Sequence, residues 1–157
     1  MKRTLIILGL ITGYFLFSST SCNDEPFTQI KAVESRIFNE IKSYRLASGT
    51  DSTFVHQYVM VKEAQYYSIQ MASGEQPVDT SGIQEHWDII HDKIGGTNAR
   101  TLVQATQTEN AEQIVDYWRE VPATDSVLLD DYTQCGVGVE YGSDGTVYVT
   151  VLMMLIE

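Results

Sequence analysis

The stretch that most constrains this chain is "QCGVGVEYGSDGTVYVTVLMM", from Gln134 to Met154. Two runs rich in valine and tyrosine flank "GSDG", and the Asp144-Gly145 pair suits a tight reversal between strands. The segment reads as an antiparallel hairpin. Val137, Val139 and Tyr141 alternate with small residues along its first arm. Gly136 and Gly138 leave one face of that arm bare, so a helix or another backbone can approach it closely.

Upstream, the apolar spacing switches to the helical period. In "FTQIKAVESRIFNEIKSYRLASG", Ile30, Val33, Ile37, Ile41 and Tyr44 recur at three and four residues, and Gly49 stops the run. "DSTFVHQYVMVKEAQYYSIQMASG" follows, with Asp51 or Ser52 as the expected cap, Val55, Tyr58, Val61, Ala64, Ser68 and Met71 on one stripe, and Gly74 at its close. A third helix is expected over Ile83 to Ile94, ended by Gly95 and Gly96. The fourth is "NAEQIVDYWRE", where Asn110 and Gln113 have capping-box spacing and Ile114, Val115 and Trp118 face inward. "TLVQATQ", Thr101 to Gln107, reads as a third strand. The expected class is therefore α+β, with about four helices packed on a small antiparallel sheet.

The chain of 157 residues opens "MKRTLIILGLITGYFLFSSTSC". A short basic start, an apolar run from Leu5 to Phe17 and small residues before Cys22 form a secretory signal, too short for a comfortable membrane span. The approach to Cys22 resembles a bacterial lipoprotein signal, although Ser19 stands where leucine is usual. On this reading residues 1–21 are removed and Cys22 is lipidated, so the protein meets a membrane through that group. Residues 22–28 are an acidic tether and residues 29–157 a single domain. Asn23, Asp24 and Glu25 resemble the signal that exports some lipoproteins to the outer face of the outer membrane. Simple secretion is the alternative. The formal net charge of −11 repels phosphates, so nucleic acid is excluded as an electrostatic partner. Cys135 sits in an apolar strand and reads as a buried small hydrophobe, not a nucleophile.

Taken in order, these pieces resemble the CAP superfamily: cysteine-rich secretory proteins, antigen 5 and pathogenesis-related class 1 proteins, also called SCP domains. The likeness runs roughly from Ile37 to Met154. "IFNEIKSYRLASG" is similar to the family's opening Asn-x-x-Arg helix, with Asn39 at the asparagine and three extra residues before Arg45, so the motif is imperfect. "AQYYSIQMASG" is similar to Ala-x-x-His-Ser-x-x-Met-Ala, with Tyr67 at the histidine; "AEQIVDYW" matches the helix ending in tryptophan, and "DDYTQCGVGVEY" the glycine-bearing strand. The resemblance implies a three-layer α-β-α sandwich with a cleft that, in many members, carries two His and two Glu and holds a divalent metal.

In this chain the family's four cleft positions fall on Thr80, Arg100 (with Thr101 beside it), Val121 and Thr124. Threonine hydroxyls are weak neutral ligands, and Arg100 brings a fixed positive charge. The resemblance thus implies no metal, no cofactor and no catalysis. It implies a binding module for a small amphipathic or anionic ligand, or for a protein or envelope partner. Tyr67, Thr80, His86, Trp87, Arg100, Glu120 and Thr124 are the candidate cleft residues. Glu120 or Asp125 is expected to answer Arg100. A metal-assisted hydrolase with its site in another register, and a purely structural envelope lipoprotein, are the alternatives. His86 and His91 lie five apart, on different helix faces, and do not form a paired zinc site. His56 is expected on the exposed side of the second helix.

Overall fold

Strand Val147–Leu155 lies at the heart of the molecule, buried on both faces, which is why it reads as an almost unbroken apolar run. In this computed structural model the described residues are 29–50 and 53–157. The lipoprotein signal, Cys22 and the acidic tether lie outside them, as do Asp51 and Ser52. The elements run α1 (Ala32–Ala47), β1 (Val55–His56), α2 (Tyr58–Ser73), α3 (Gln84–Ile94), β2 (Thr97–Thr106), α4 (Ala111–Arg119), α5 (Pro122–Leu129), β3 (Gln134–Tyr141) and β4 (Val147–Leu155). The sheet order is β1-β3-β4-β2. β3 and β2 both pair antiparallel with β4, while β1 pairs parallel with β3.

Helices cover both faces, giving the expected three layers. One core joins Val33, Ile37 and Ile41 of α1, Ile114, Val115 and Trp118 of α4 and Leu128 of α5 to Val149, Val151 and Met153 of β4. The other joins Met60, Ala64, Tyr67 and Met71 of α2 and Trp87 and Ile90 of α3 to Leu152 and Met154. Each such aliphatic side chain, once buried, contributes about 1.5–3 kcal/mol before entropy is counted. The bare face of β3 is where α2 seats. A Cβ on Gly136 would lie 2.2 Å from the Met60 carbonyl carbon, and one on Gly138 2.1 Å from that of Ala64. Ser68 then donates to the Gly138 carbonyl (3.0 Å) and lies 2.9 Å from the Thr150 hydroxyl.

Three expectations need correction. Among the described residues there are five helices where about four were expected: Pro122 starts α5, because its fixed φ suits the first helical turn and its missing N–H costs nothing there. The sheet is not wholly antiparallel, since two residues of β1 join it in parallel. α2 begins at Tyr58 with Gln57 at its N-cap, whereas the expected caps, Asp51 and Ser52, lie outside the described residues. His56 consequently lies on β1, half-buried, with its ring stacked on Phe38 at 4.5 Å between centroids.

Two buried charged groups tie the layers. Glu34 accepts from the backbone N–H of Lys31 (2.7 Å) and Val139 (3.0 Å) and from Gln65 Nε2 (2.7 Å). Burial raises its carboxyl above the usual value despite those donors. Arg45 sits 4.6 Å from the Phe54 ring centroid and donates to the carbonyls of Leu128 (2.6 Å), Asp130 (2.8 Å) and Tyr132 (3.3 Å). That cation closes the C-terminal end of α5, where unpaired carbonyls would otherwise be buried.

Candidate functional site

The recess of interest opens beside β2, between the two helical layers. One wall is the segment after α2. Gly74 ends that helix in the left-handed conformation (φ 79°). The fully buried Tyr67 then pins the segment, donating to the Asp79 carbonyl (2.8 Å) and accepting from the Gly82 N–H (3.3 Å). Thr80 stands on this wall. The Asp79 carboxylate beside it accepts from the Ser81 N–H (2.8 Å), and hydrogen bonding to Ser81 holds it below the usual range.

The other wall is the α4–α5 corner. Asn110 caps α4 by accepting from the Gln113 N–H (3.1 Å), and Trp118 anchors the helix end in the core. Thr124, in the first turn of α5, donates to the Trp118 carbonyl (2.6 Å), with the Val121 carbonyl at 3.1 Å. Its hydrogen is thereby committed, and its lone pairs are left for a ligand. Thr101, Leu102 and Val103 of β2 form the floor, and Tyr117 and Val121 the outer rim. The volume is about 350 Å³.

Of the seven candidate residues, Thr80 and Thr124 line this notch. Tyr67 and Trp87 are buried behind it as supports. The indole N–H of Trp87 donates to the Thr101 hydroxyl (3.0 Å), which leaves that hydroxyl's own hydrogen free to donate. Arg100 is exposed and bonds its neighbour's carbonyl, Ala99, at 3.0 Å. Neither acid expected to answer Arg100 does so. Asp125 accepts from the Tyr44 hydroxyl at 2.5 Å, the main cause of that phenol's raised pKa. Glu120 is exposed and lines a different recess with Tyr44, Asp116 and Arg119.

The reason for the difference at Arg100 is local. The β2–β4 register shifts between Thr97 and Arg100, where Asn98 has φ 50°. The Arg100 side chain is turned out to solvent, while the notch runs along Thr101, Leu102 and Val103. Thr101 lines the notch where Arg100 was expected. Sequence reasoning also missed Asp79, Leu102, Val103 and Tyr117 as lining residues; Thr101 and Val121 carried a signal, as positions at or beside the family's cleft residues.

His86 faces away from the notch. It is buried against α2, with Nδ1 2.8 Å from Glu63 Oε2 and Nε2 3.0 Å from Gln70 Oε1. His91 is exposed on another face of α3. The half-buried His56 keeps a buried Nε2 without a partner, and burial pushes its pKa down to about 4. Burial also raises the thiol of Cys135, which is enclosed in the core.

As a metal site the notch is poorly supplied. It presents three threonine hydroxyls, and Asp79 brings its one carboxylate. Zinc-like ions require imidazole, thiolate or several carboxylates. Among the described residues no group of three His, Cys, Asp or Glu side chains converges for a metal. The donor set does not fit the divalent ion that the cleft histidines and glutamates of related proteins would hold.

The model of the cysteine-rich secretory protein family, CAP, matches residues 38–154. An outer surface protein of Borrelia burgdorferi superposes with a TM-score of 0.66 at 16% identity, over 83% of this chain and 97% of that one. An extracellular SCP-domain protein of Bacillus anthracis superposes with a TM-score of 0.64 at 15% identity, over 79% of this chain and 40% of that one. No curated protein matches.

Proposed function

The chain belongs to the cysteine-rich secretory protein family, and from that premise we propose that it is an extracytoplasmic, lipid-anchored binding module. It holds a small amphipathic ligand in the threonine-lined notch, without metal and without catalysis. The observation that carries this reading is the lining itself. Thr80, Thr101 and Thr124 supply hydroxyls, while Leu102, Val103, Tyr117 and Val121 supply apolar surface. A few placed polar groups on an apolar wall suit a ligand with one polar end. The notch contains no guanidinium, since Arg100 lies outside it, so an amphipathic ligand is favoured over a purely anionic one. Lipidation of Cys22 would keep the domain at the outer membrane, in keeping with relatives of the same fold described as outer-surface and extracellular proteins.

The test is titration of the purified domain with the amphipathic fluorophore anilinonaphthalene sulfonate. Val121 is 43% exposed on the rim, so Val121→Gln removes apolar rim surface without adding charge or disturbing the core. Affinity should fall by about tenfold, equivalent to one lost apolar contact surface of about 1.4 kcal/mol, and chelator should leave wild-type binding unchanged. Equal affinity of the variant refutes use of the notch. Zinc-dependent ester or peptide hydrolysis would replace this reading with the hydrolase alternative. Cys22→Ser should release the protein from the membrane fraction, and its retention there refutes the anchor.

A further inference from the structure

The two edges of the sheet are built differently. β1, at one edge, is two residues long and offers almost nothing to pair with. β2, at the other, runs for ten residues. The helices pack chiefly on β3 and β4 and leave β2 with β4 as its main neighbour. In an antiparallel ladder alternate residues turn N–H and C=O away from the partner strand. Over Thr101 to Ala105 no outward backbone group of β2 meets a hydrogen-bond partner among the described residues.

Natural edge strands are usually protected by shortness, proline, lysine or a bulge along the exposed stretch. β2 has no proline or lysine, and its irregularity ends before Arg100, leaving a regular run to Thr106. Thr101, Leu102 and Val103 of that same run floor the notch. Tyr117 and Val121, 55% and 43% exposed, stand at its rim.

We propose that the free edge of β2 takes up an extended segment of a partner polypeptide as a fifth strand, with one apolar side chain of that segment entering the notch. The inference goes beyond the small-ligand reading, because its main contacts are backbone groups of β2 and not notch side chains. A row of alternating donors and acceptors is matched by one kind of occupant, an extended backbone about 4.8 Å away. A second copy of this chain is disfavoured by charge, since each carries a formal net charge of −11. The partner segment is therefore neutral or basic, with apolar residues at alternate positions.

The probe is a fluorescein-labelled eight-residue peptide of alternating valine and threonine with lysine at each end, followed by anisotropy against the purified domain. Two further versions carry N-methyl groups on one or the other set of alternate amides. Losing two backbone hydrogen bonds weakens binding by about tenfold or more. Methylation of the set facing β2 should do so, while the other set should change affinity by less than about threefold. Peptide binding should also slow hydrogen exchange at alternate amides between Thr101 and Ala105. No binding, equal binding of both methylated peptides, or protection of β2 only in a self-associated dimer overturns the proposal. Val121→Gln separates the two readings. If it leaves fluorophore binding unchanged while the methylation pattern persists, the notch reading fails and the strand-addition reading stands.

Discussion

Gly138→Ala adds one methyl group at the point where α2 meets the sheet. The new Cβ would sit 2.1 Å from the Ala64 carbonyl carbon and 2.2 Å from the Gln65 nitrogen. Ordinary contact begins near 3.4 Å, so helix and strand must separate by more than 1 Å. The obstructing atoms are backbone, and no side-chain rotation relieves them. Overpacking a core typically costs about 1–3 kcal/mol, and a rigid obstacle places this case at the top of that range. Separation also stretches the Ser68 hydrogen bond to Gly138, about 1 kcal/mol more. The expected loss is about 3–4 kcal/mol, or roughly 10 °C in Tm for a domain of this size. Urea unfolding followed by tryptophan fluorescence should show a lower midpoint with an unchanged slope. Gly145→Ala is the control. Its φ is 83° with nothing within 4 Å of the added carbon, so it carries only the left-handed backbone penalty of about 1–2 kcal/mol. If Gly138→Ala costs no more than Gly145→Ala, the close approach of α2 is not what the glycine is for.

Two more outcomes follow from the buried groups. The pKa of His56 is about 4 in the fold against about 6.5 when unfolded. The unfolded chain thus binds the extra proton in that window, and stability is full above pH 6.5 and falls as pH drops toward 4. With the ring only half-buried, solvent screening limits the loss to about 1–2 kcal/mol; His56→Phe should flatten this slope in denaturation curves taken between pH 4 and 7, and an unchanged slope would assign it elsewhere. Arg45→Met strands the carbonyls of Leu128, Asp130 and Tyr132 and should cost about 3–5 kcal/mol. Arg45→Lys should recover only part, because a single ammonium cannot span all three, and full stability in either variant would contradict the clamp.

Most of the scaffold was legible because its signals are local. Apolar spacing located α1, α3 and α4, and the Asp144-Gly145 turn and the paired glycines located the hairpin and the face α2 covers. β1 had no local signal: two residues become a strand only because β3 lies beside them. α5 was hidden by Pro122, which reads equally as a turn or as a first helical residue. At the site, Thr80 and Thr124 were found by their place after recognisable helix ends. Arg100 was misplaced because tertiary packing decides which residues of β2 reach the notch, and neighbouring residues do not announce it. The environments of His56 and His86 are tertiary, and no spacing rule contains them.

The carboxylate of Glu34 has a consequence in time. Its donors lie at the N-cap of α1, on α2 at a separation of 31 residues and on β3 at a separation of 105. The first helix of the domain to be synthesised cannot shelter its charge until nearly the last strand arrives. Closing so long a loop is slow and precedes the contacts that reward it. A chain emerging from one end stays open until β3 has followed. On the export route proposed above, that delay would keep the domain open in transit and let it close on the far side.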